Sequence, residues 1–243
     1  MRALCSLLTL AAFAAAPLSA PADGLIYKLP ADGTRVTYEM NGVKSDAGRP
    51  GSENKMTGTL AVASVGKKKV DGADCRWIEI TMKMSRRGRE MTVSAKLLIP
   101  ESDLGKGKYP LGNVKQAWLK QGDRLKEIDP NGRDGGPVPA FLPNPLKDAK
   151  VGKPAEIATA AGKMSAKKLT GKTEYEQGTD KRVDKFTVEY DLQLADKAPF
   201  GVAGGKLTMK EYVNRTRLDD IFVLDLKLKS IDTKAKSNIP DKN

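Results

Sequence analysis

The chain of 243 residues contains no histidine and only two cysteines, Cys5 and Cys75. That excludes histidine-ligated metals, Ser-His-acid triads and Cys-His nucleophiles. Carboxylate, lysine and hydroxyl chemistry remain open, and none has a readable signature. Glu79, Glu90, Glu189 and Asp191 stand on segments that read as strands. Glycoside chemistry needs two acids roughly 5–9.5 Å apart across a cleft, and many charged strands would look the same. Asp129-Pro130-Asn131-Gly132-Arg133-Asp134 and Asp219-Asp220 are acid-rich, yet the first breaks the EF-hand pattern in spacing and length. Asn214-Arg215-Thr216 matches a glycosylation sequon, which matters only where the host modifies it. The expectation is a non-enzymatic protein with no catalytic residue, no metal and no cofactor.

The remaining candidates are apolar. Trp77, Met82, Met84 and Trp118 are possible ligand-facing residues, because aromatic rings bring large apolar surface and methionine adapts to irregular partners. Packing between a sheet and a helix explains the same residues equally well. Cys75, beside Trp77, reads most simply as a small core residue, with a dimer link or a redox role as alternatives.

The elements that would carry these residues begin after a leader. Residues 1–22 hold one charge, Arg2, an uncharged run from Ala3 to Ala16, and Ala20-Pro21-Ala22 before Asp23. This is the pattern of a secretory signal, too short for a membrane span of about 20 apolar residues. Removal of the leader takes Cys5 with it and leaves Cys75 alone. The product is expected in the periplasm or outside the cell, with no transmembrane segment after processing.

Residues 23–231 read as a single antiparallel β domain. Thr34, Val36, Tyr38 and Met40 alternate with Arg35, Thr37 and Glu39. Met56 to Val65 forms a second strand, and Val70-Asp71-Gly72 marks a turn. Ile78, Ile80, Met82 and Met84 share one face of the next strand, with Cys75 and Trp77 on the other. Met91 to Ile99 alternates until Pro100, which lacks a ladder donor. Phe186, Val188, Tyr190, Leu192 and Leu194 share a face, as do Phe222, Leu224, Leu226 and Leu228.

The middle differs. Val114, Trp118, Leu125 and Ile128 approximate a helical stripe, predicting one short helix between Leu111 and Ile128. Residues 129–145 (DPNGRDGGPVPAFLPNP) have five prolines and three glycines, and read as an exposed loop or a linker rather than a helix or central strand. Residues 232–243 read as a flexible basic tail. The fold class expected is mainly β: a curved antiparallel sheet or half-barrel with one short helix.

The leader, the long meander, Trp77-Ile78-Glu79-Ile80 after a buried-looking cysteine, and Ala198-Pro199-Phe200-Gly201 before a late strand together resemble exported proteins of planctomycete-type bacteria. More remotely, the layout resembles the LolA/LppX-like periplasmic lipoprotein-carrier superfamily. That resemblance implies a half-barrel wrapped around helices, with lipid or acyl chains in the cavity. It implies no named binding residue here.

Net charge is +12, carried by groups such as Lys67-Lys68-Lys69, Arg86-Arg87-Arg89 and Lys167-Lys168. Aromatics are not interleaved with them, so nucleic acid is not an expected partner. Attraction to an anionic envelope surface and plain solubility both fit. The leading expectation is an exported β protein that binds a lipid or other amphipathic ligand. The alternative is a structural or protein-interaction module of the periplasm or cell surface.

Overall fold

The computed structural model describes residues 24–240, apart from 50, 87–88, 106, 131, 133–137, 143–144 and 180–181. The leader lies outside the described residues.

Eleven strands form one antiparallel sheet: β1 (Thr34–Asp46), β2 (Asn54–Val70), β3 (Ala73–Arg86), β4 (Arg89–Pro100), β5 (Gln116–Gln121), β6 (Arg124–Glu127), β7 (Lys147–Thr159), β8 (Gly162–Thr179), β9 (Arg182–Leu194), β10 (Val202–Val213) and β11 (Arg217–Asp232). Their spatial order is β6-β5-β4-β3-β2-β1-β11-β10-β9-β8-β7. Each half is a meander, and the first and last strands join the halves, from Arg35 opposite Asp232 to Asp46 opposite Asp220. The free edges are therefore β6 and β7, which are neighbours in the chain. The sheet is curled but unclosed. The turn between β7 and β8 reaches β11, where the Ala160 amide donates to the Leu228 carbonyl at 3.3 Å.

Period-two patterning decides which face is inside. Val36, Tyr38, Leu60, Val62, Ile78, Ile80, Leu97, Ile99, Val188, Tyr190, Leu192, Leu226 and Leu228 all belong to one buried cluster. Asp71 and Gly72 adopt φ of 50° and 79°, the left-handed pair that a tight hairpin between β2 and β3 requires. β2 runs on past Gly66 because the ladder shifts register between Ser64 and Lys67, a bulge that absorbs the glycine.

The concave side is filled from three places. Leu25 and Ile26 are fully buried, and the Tyr27 amide donates to the Phe200 carbonyl at 2.8 Å. A 3-10 turn at Pro110–Asn113 buries Leu111. The third contribution is α1 (Val138–Phe141), all four residues of which are buried.

Three expectations need correction. The helix predicted between Leu111 and Ile128 is instead the β5–β6 hairpin, in which Gln121 pairs with Arg124 around Gly122 at φ 58°. Alternation puts Ala117 and Leu119 with the core and Trp118 on the other face. The one α-helix lies inside the Pro/Gly-rich segment, where Pro139 sits in the first turn and needs no intrahelical donor. Its described residues 138–142 are buried rather than exposed. The C-terminal segment, expected to be flexible, is docked across 233–240, with Ala235 and Ile239 buried.

Both free edges are guarded. β7 is largely exposed, carries Lys147, Lys150, Lys153 and Pro154, and has two register shifts against β8. β6 is only Arg-Leu-Lys-Glu. Charge, proline and irregular register all disfavour edge-to-edge pairing.

Candidate functional site

The hairpins β1–β2, β3–β4, β8–β9 and β10–β11 lie at one end of the sheet, and an apolar cavity opens among them. Its volume is about 390 Å³. Met56, Met82, Met84, Met91 and Met209 line it, five of the eight methionines in the chain. Phe141, Phe186, Phe222, Tyr175 and Leu224 supply most of the remaining wall, and Lys44, Gln177 and Glu211 the polar positions.

Register explains the methionine wall. Met84 lies directly opposite Met91 across β3 and β4, and Met82 precedes Met84 on the same face. Met56 stands on the adjoining β2, two positions from the partner of Met84. On β1, Gly42 faces both Met56 and Leu224. A Cβ at Gly42 would sit 2.7 Å from Met56 Cγ and 2.9 Å from Leu224 Cδ2, so the missing side chain leaves room for both. Met91 is 43% exposed, which puts a flexible thioether at the mouth.

The opposite wall is aromatic. Tyr175 and Phe186 stack with centroids 5.0 Å apart and planes at 11°. The Tyr175 hydroxyl reaches Met209 Sδ at 3.4 Å, and its burial pushes its pKa well above the usual tyrosine value. Lys44 sits 4.9 Å over the Phe222 ring and pairs with Asp220. The floor is Phe141 of α1. Its carbonyl accepts from the Leu25 amide at 3.1 Å, and the neighbouring Ala140 carbonyl accepts from the Tyr190 hydroxyl at 2.7 Å. The plug is thus tied to both the N-terminal segment and β9.

Of the residues singled out from sequence, Met82 and Met84 line this cavity, whereas Trp77 and Trp118 do not. Those tryptophans are on the outer face, in a small cluster with Cys75, Leu98, Val65, Val70 and Ala73. Cys75 is buried there, its Sγ 3.6 Å from the Ala73 carbonyl, and desolvation raises its pKa. Met91, which belongs by type with Met82 and Met84, lines the cavity too, and sequence reading missed Met56, Met209 and Tyr175 as site residues. Each stands on a strand whose apolar face was visible, but their meeting depends on the whole strand order. Glu79, Glu90, Glu189 and Asp191 form no acid pair in this cavity. Among the described residues no group of three or more His, Cys, Asp or Glu could hold a metal ion. Among the described residues no helix is long and apolar enough to cross a membrane.

No family model matches the chain, and no curated protein matches it. Three solved structures share a likeness in outline. A candidate exported protein with YmcC-like fold from Bacteroides fragilis is 12% identical, with a TM-score of 0.29, covering 85% of this chain and 99% of that one. A candidate lipoprotein from Parabacteroides distasonis is also 12% identical, with a TM-score of 0.28 over the same shares. A β-barrel-like protein of the domain of unknown function DUF1849 from Brucella abortus is 8% identical, with a TM-score of 0.26, covering 84% and 99%. At such identities and scores nothing is carried over from them to this chain. They add nothing to the planctomycete-type or LolA/LppX-like resemblance.

Proposed function

We propose that this is an exported, non-enzymatic protein that holds the apolar part of an amphipathic ligand in the methionine- and phenylalanine-lined cavity. The observation that carries the reading is the cavity itself: apolar walls, a few polar positions at the mouth, and a volume inside the roughly 300–1,000 Å³ usual for small-molecule sites. Its volume is near the lower end of that range, which suits one alkyl chain better than a multi-chain lipid. Burial of that chain supplies affinity at about 0.8 kcal/mol per methylene before ordering costs. Methionine walls tolerate chains of different shape, so selectivity for the tail should be low.

Export rests on the leader pattern of residues 1–22. The alternative, a module recruiting partners along a sheet edge, is disfavoured by the lysines, Pro154 and register shifts of β7. The test is solvent extraction and mass spectrometry of the protein purified from its native envelope. Recovery of a stoichiometric single-chain amphiphile supports the reading, and repeated recovery of empty protein counts against it.

A further inference from the structure

Several carboxylates near the mouth of the cavity have ion-pair partners, and the one acid among the described lining residues, Glu211, does not. Asp220 is held by Lys44, Asp184 by Arg182 at 2.9 Å, and Asp219 by Arg217 at 3.5 Å. On the outer face nearby, Lys185 pairs with Glu174 and Lys210 with Glu189, and at the β10–β11 turn Arg215 pairs with Glu176. Glu211 is left over. It lines the apolar cavity, and it has no hydrogen bond or ion pair among the described residues. Across the ladders it stands opposite Asp220 on β11 and Phe186 on β9. The carboxylates that act on it are Asp220, Asp184 and Asp219; Lys44 opposes them, and Arg182, held by Asp184, also feels the Glu211 charge.

The groups around this carboxylate are suited to a positive charge. Phe186 is opposite it, Tyr175 is stacked on Phe186, and Phe222 lies one strand away. The negative face of a ring attracts an ammonium group, and Lys44 already occupies such a position over Phe222. An anionic head brought here would meet the Glu211 carboxylate, which no ion pair among the described residues neutralises, whereas Asp184, Asp219 and Asp220 each have a cation beside them.

We infer that the cavity selects amphiphiles with a cationic head, an amine or quaternary ammonium on an alkyl chain, and that Glu211 is the residue that recognises the head. This deepens the proposed function and rests on it. The sequence favours an anionic partner on net charge alone, whereas the one carboxylate lining the cavity favours the opposite sign.

Three ligands with the same twelve-carbon tail separate head from chain: dodecyltrimethylammonium, dodecyl maltoside and dodecanoate, each titrated calorimetrically below its micelle concentration into the full chain. The expected order is ammonium tightest, by about tenfold over maltoside, with dodecanoate weakest. Glu211→Gln should bring ammonium to within about threefold of maltoside. As a second arm, acidifying the wild type should remove the ammonium preference as Glu211 protonates. Equal ammonium and maltoside binding in the wild type overturns the inference, as does a preference that survives in Glu211→Gln. Both results leave the cavity reading standing. Failure of all three ligands to bind overturns that reading as well.

Discussion

Glu79 on β3 and Lys96 on β4 face each other across the ladder, both almost fully buried, and both hold the same C-terminal segment. The Lys96 ammonium donates to the Ile239 carbonyl at 2.9 Å and lies 4.8 Å over the Trp77 ring. Glu79 accepts from the Ser237 hydroxyl at 2.8 Å, the Asn238 amide at 2.9 Å and the Asn238 side chain at 2.6 Å. The two charges therefore tie residues 237–239 across the outer face of β3 and β4. Removing one partner of a buried charge cluster leaves the other exposed to the full desolvation cost. Glu79→Ala is expected to destabilise by about 3–5 kcal/mol in urea unfolding, and deletion of residues 237–243 to lower the melting temperature. A Glu79→Ala protein as stable as the wild type would show that the segment is not held by this clamp.

Tyr190 anchors the cavity floor. Its hydroxyl is the group that holds the Ala140 carbonyl, and burial raises its pKa far above the ordinary tyrosine value. Tyr190→Phe leaves that buried carbonyl short of a donor and is expected to cost about 1–3 kcal/mol. Amide exchange at Leu142, which donates to Val138 within the plug, should accelerate in parallel. Unchanged exchange there would mean that α1 is held without Tyr190.

Gly58 tests the sheet itself. A Cβ there would lie 1.9 Å from the Lys83 carbonyl oxygen, a backbone atom that cannot move without opening the β2–β3 ladder. Gly58→Ala should cost more than 3 kcal/mol or prevent folding, in the range of severe single substitutions at about 4–5 kcal/mol. Gly42→Ala meets side-chain atoms rather than backbone, Met56 Cγ at 2.7 Å and Leu224 Cδ2 at 2.9 Å, which a rotamer change can relieve. It should fold and shrink the cavity, which a weakened affinity for a dodecyl chain would report.

The pKa of Glu211 is raised, first by desolvation and then by Asp220, Asp184 and Asp219. A raised carboxylate binds more protons folded than unfolded between its unfolded and folded pKa values. Stability contributed by this group is therefore present at low pH and lost as pH rises through that window. Glu211→Gln removes the penalty, so at neutral pH the variant is expected to be at least as stable as the wild type. The advantage should vanish on acidification below the ordinary carboxylate value. A variant less stable at neutral pH would contradict the unpaired state of Glu211.

Most of the sheet was legible because most long strands bury one face and alternate with a period of two, β7 excepted. The Ile78, Ile80, Met82 and Met84 face and the Phe222 to Leu228 face both point inward, as alternation alone implies. The β5–β6 hairpin was not legible as strands. It is short, and the spacing of Val114, Trp118, Leu125 and Ile128 imitates a helix, although Gly122-Asp123 marks its turn. The inward course of residues 138–142 and the docking of 237–239 depend on partners far away in sequence, Tyr190, Leu25, Glu79 and Lys96. The site was legible only in pieces. Alternation put Met82 and Met84 on the inner face, but an apolar face looks the same whether a plug or a ligand covers it. Trp77 and Trp118 drew attention by size, and each alternates with the inward residues of its own strand, which puts both on the outside.

The central claim is that the cavity takes an alkyl chain. Met84 is in the middle of the methionine wall, and a tryptophan there would fill the space without changing the outer face. Titration of dodecyl maltoside into the wild type and Met84→Trp, with both proteins checked for the same far-ultraviolet spectrum and cooperative unfolding, measures this directly. Saturable one-to-one binding that weakens by about tenfold or more in Met84→Trp is the predicted result. Equal binding by both proteins, or none by the wild type, would contradict it.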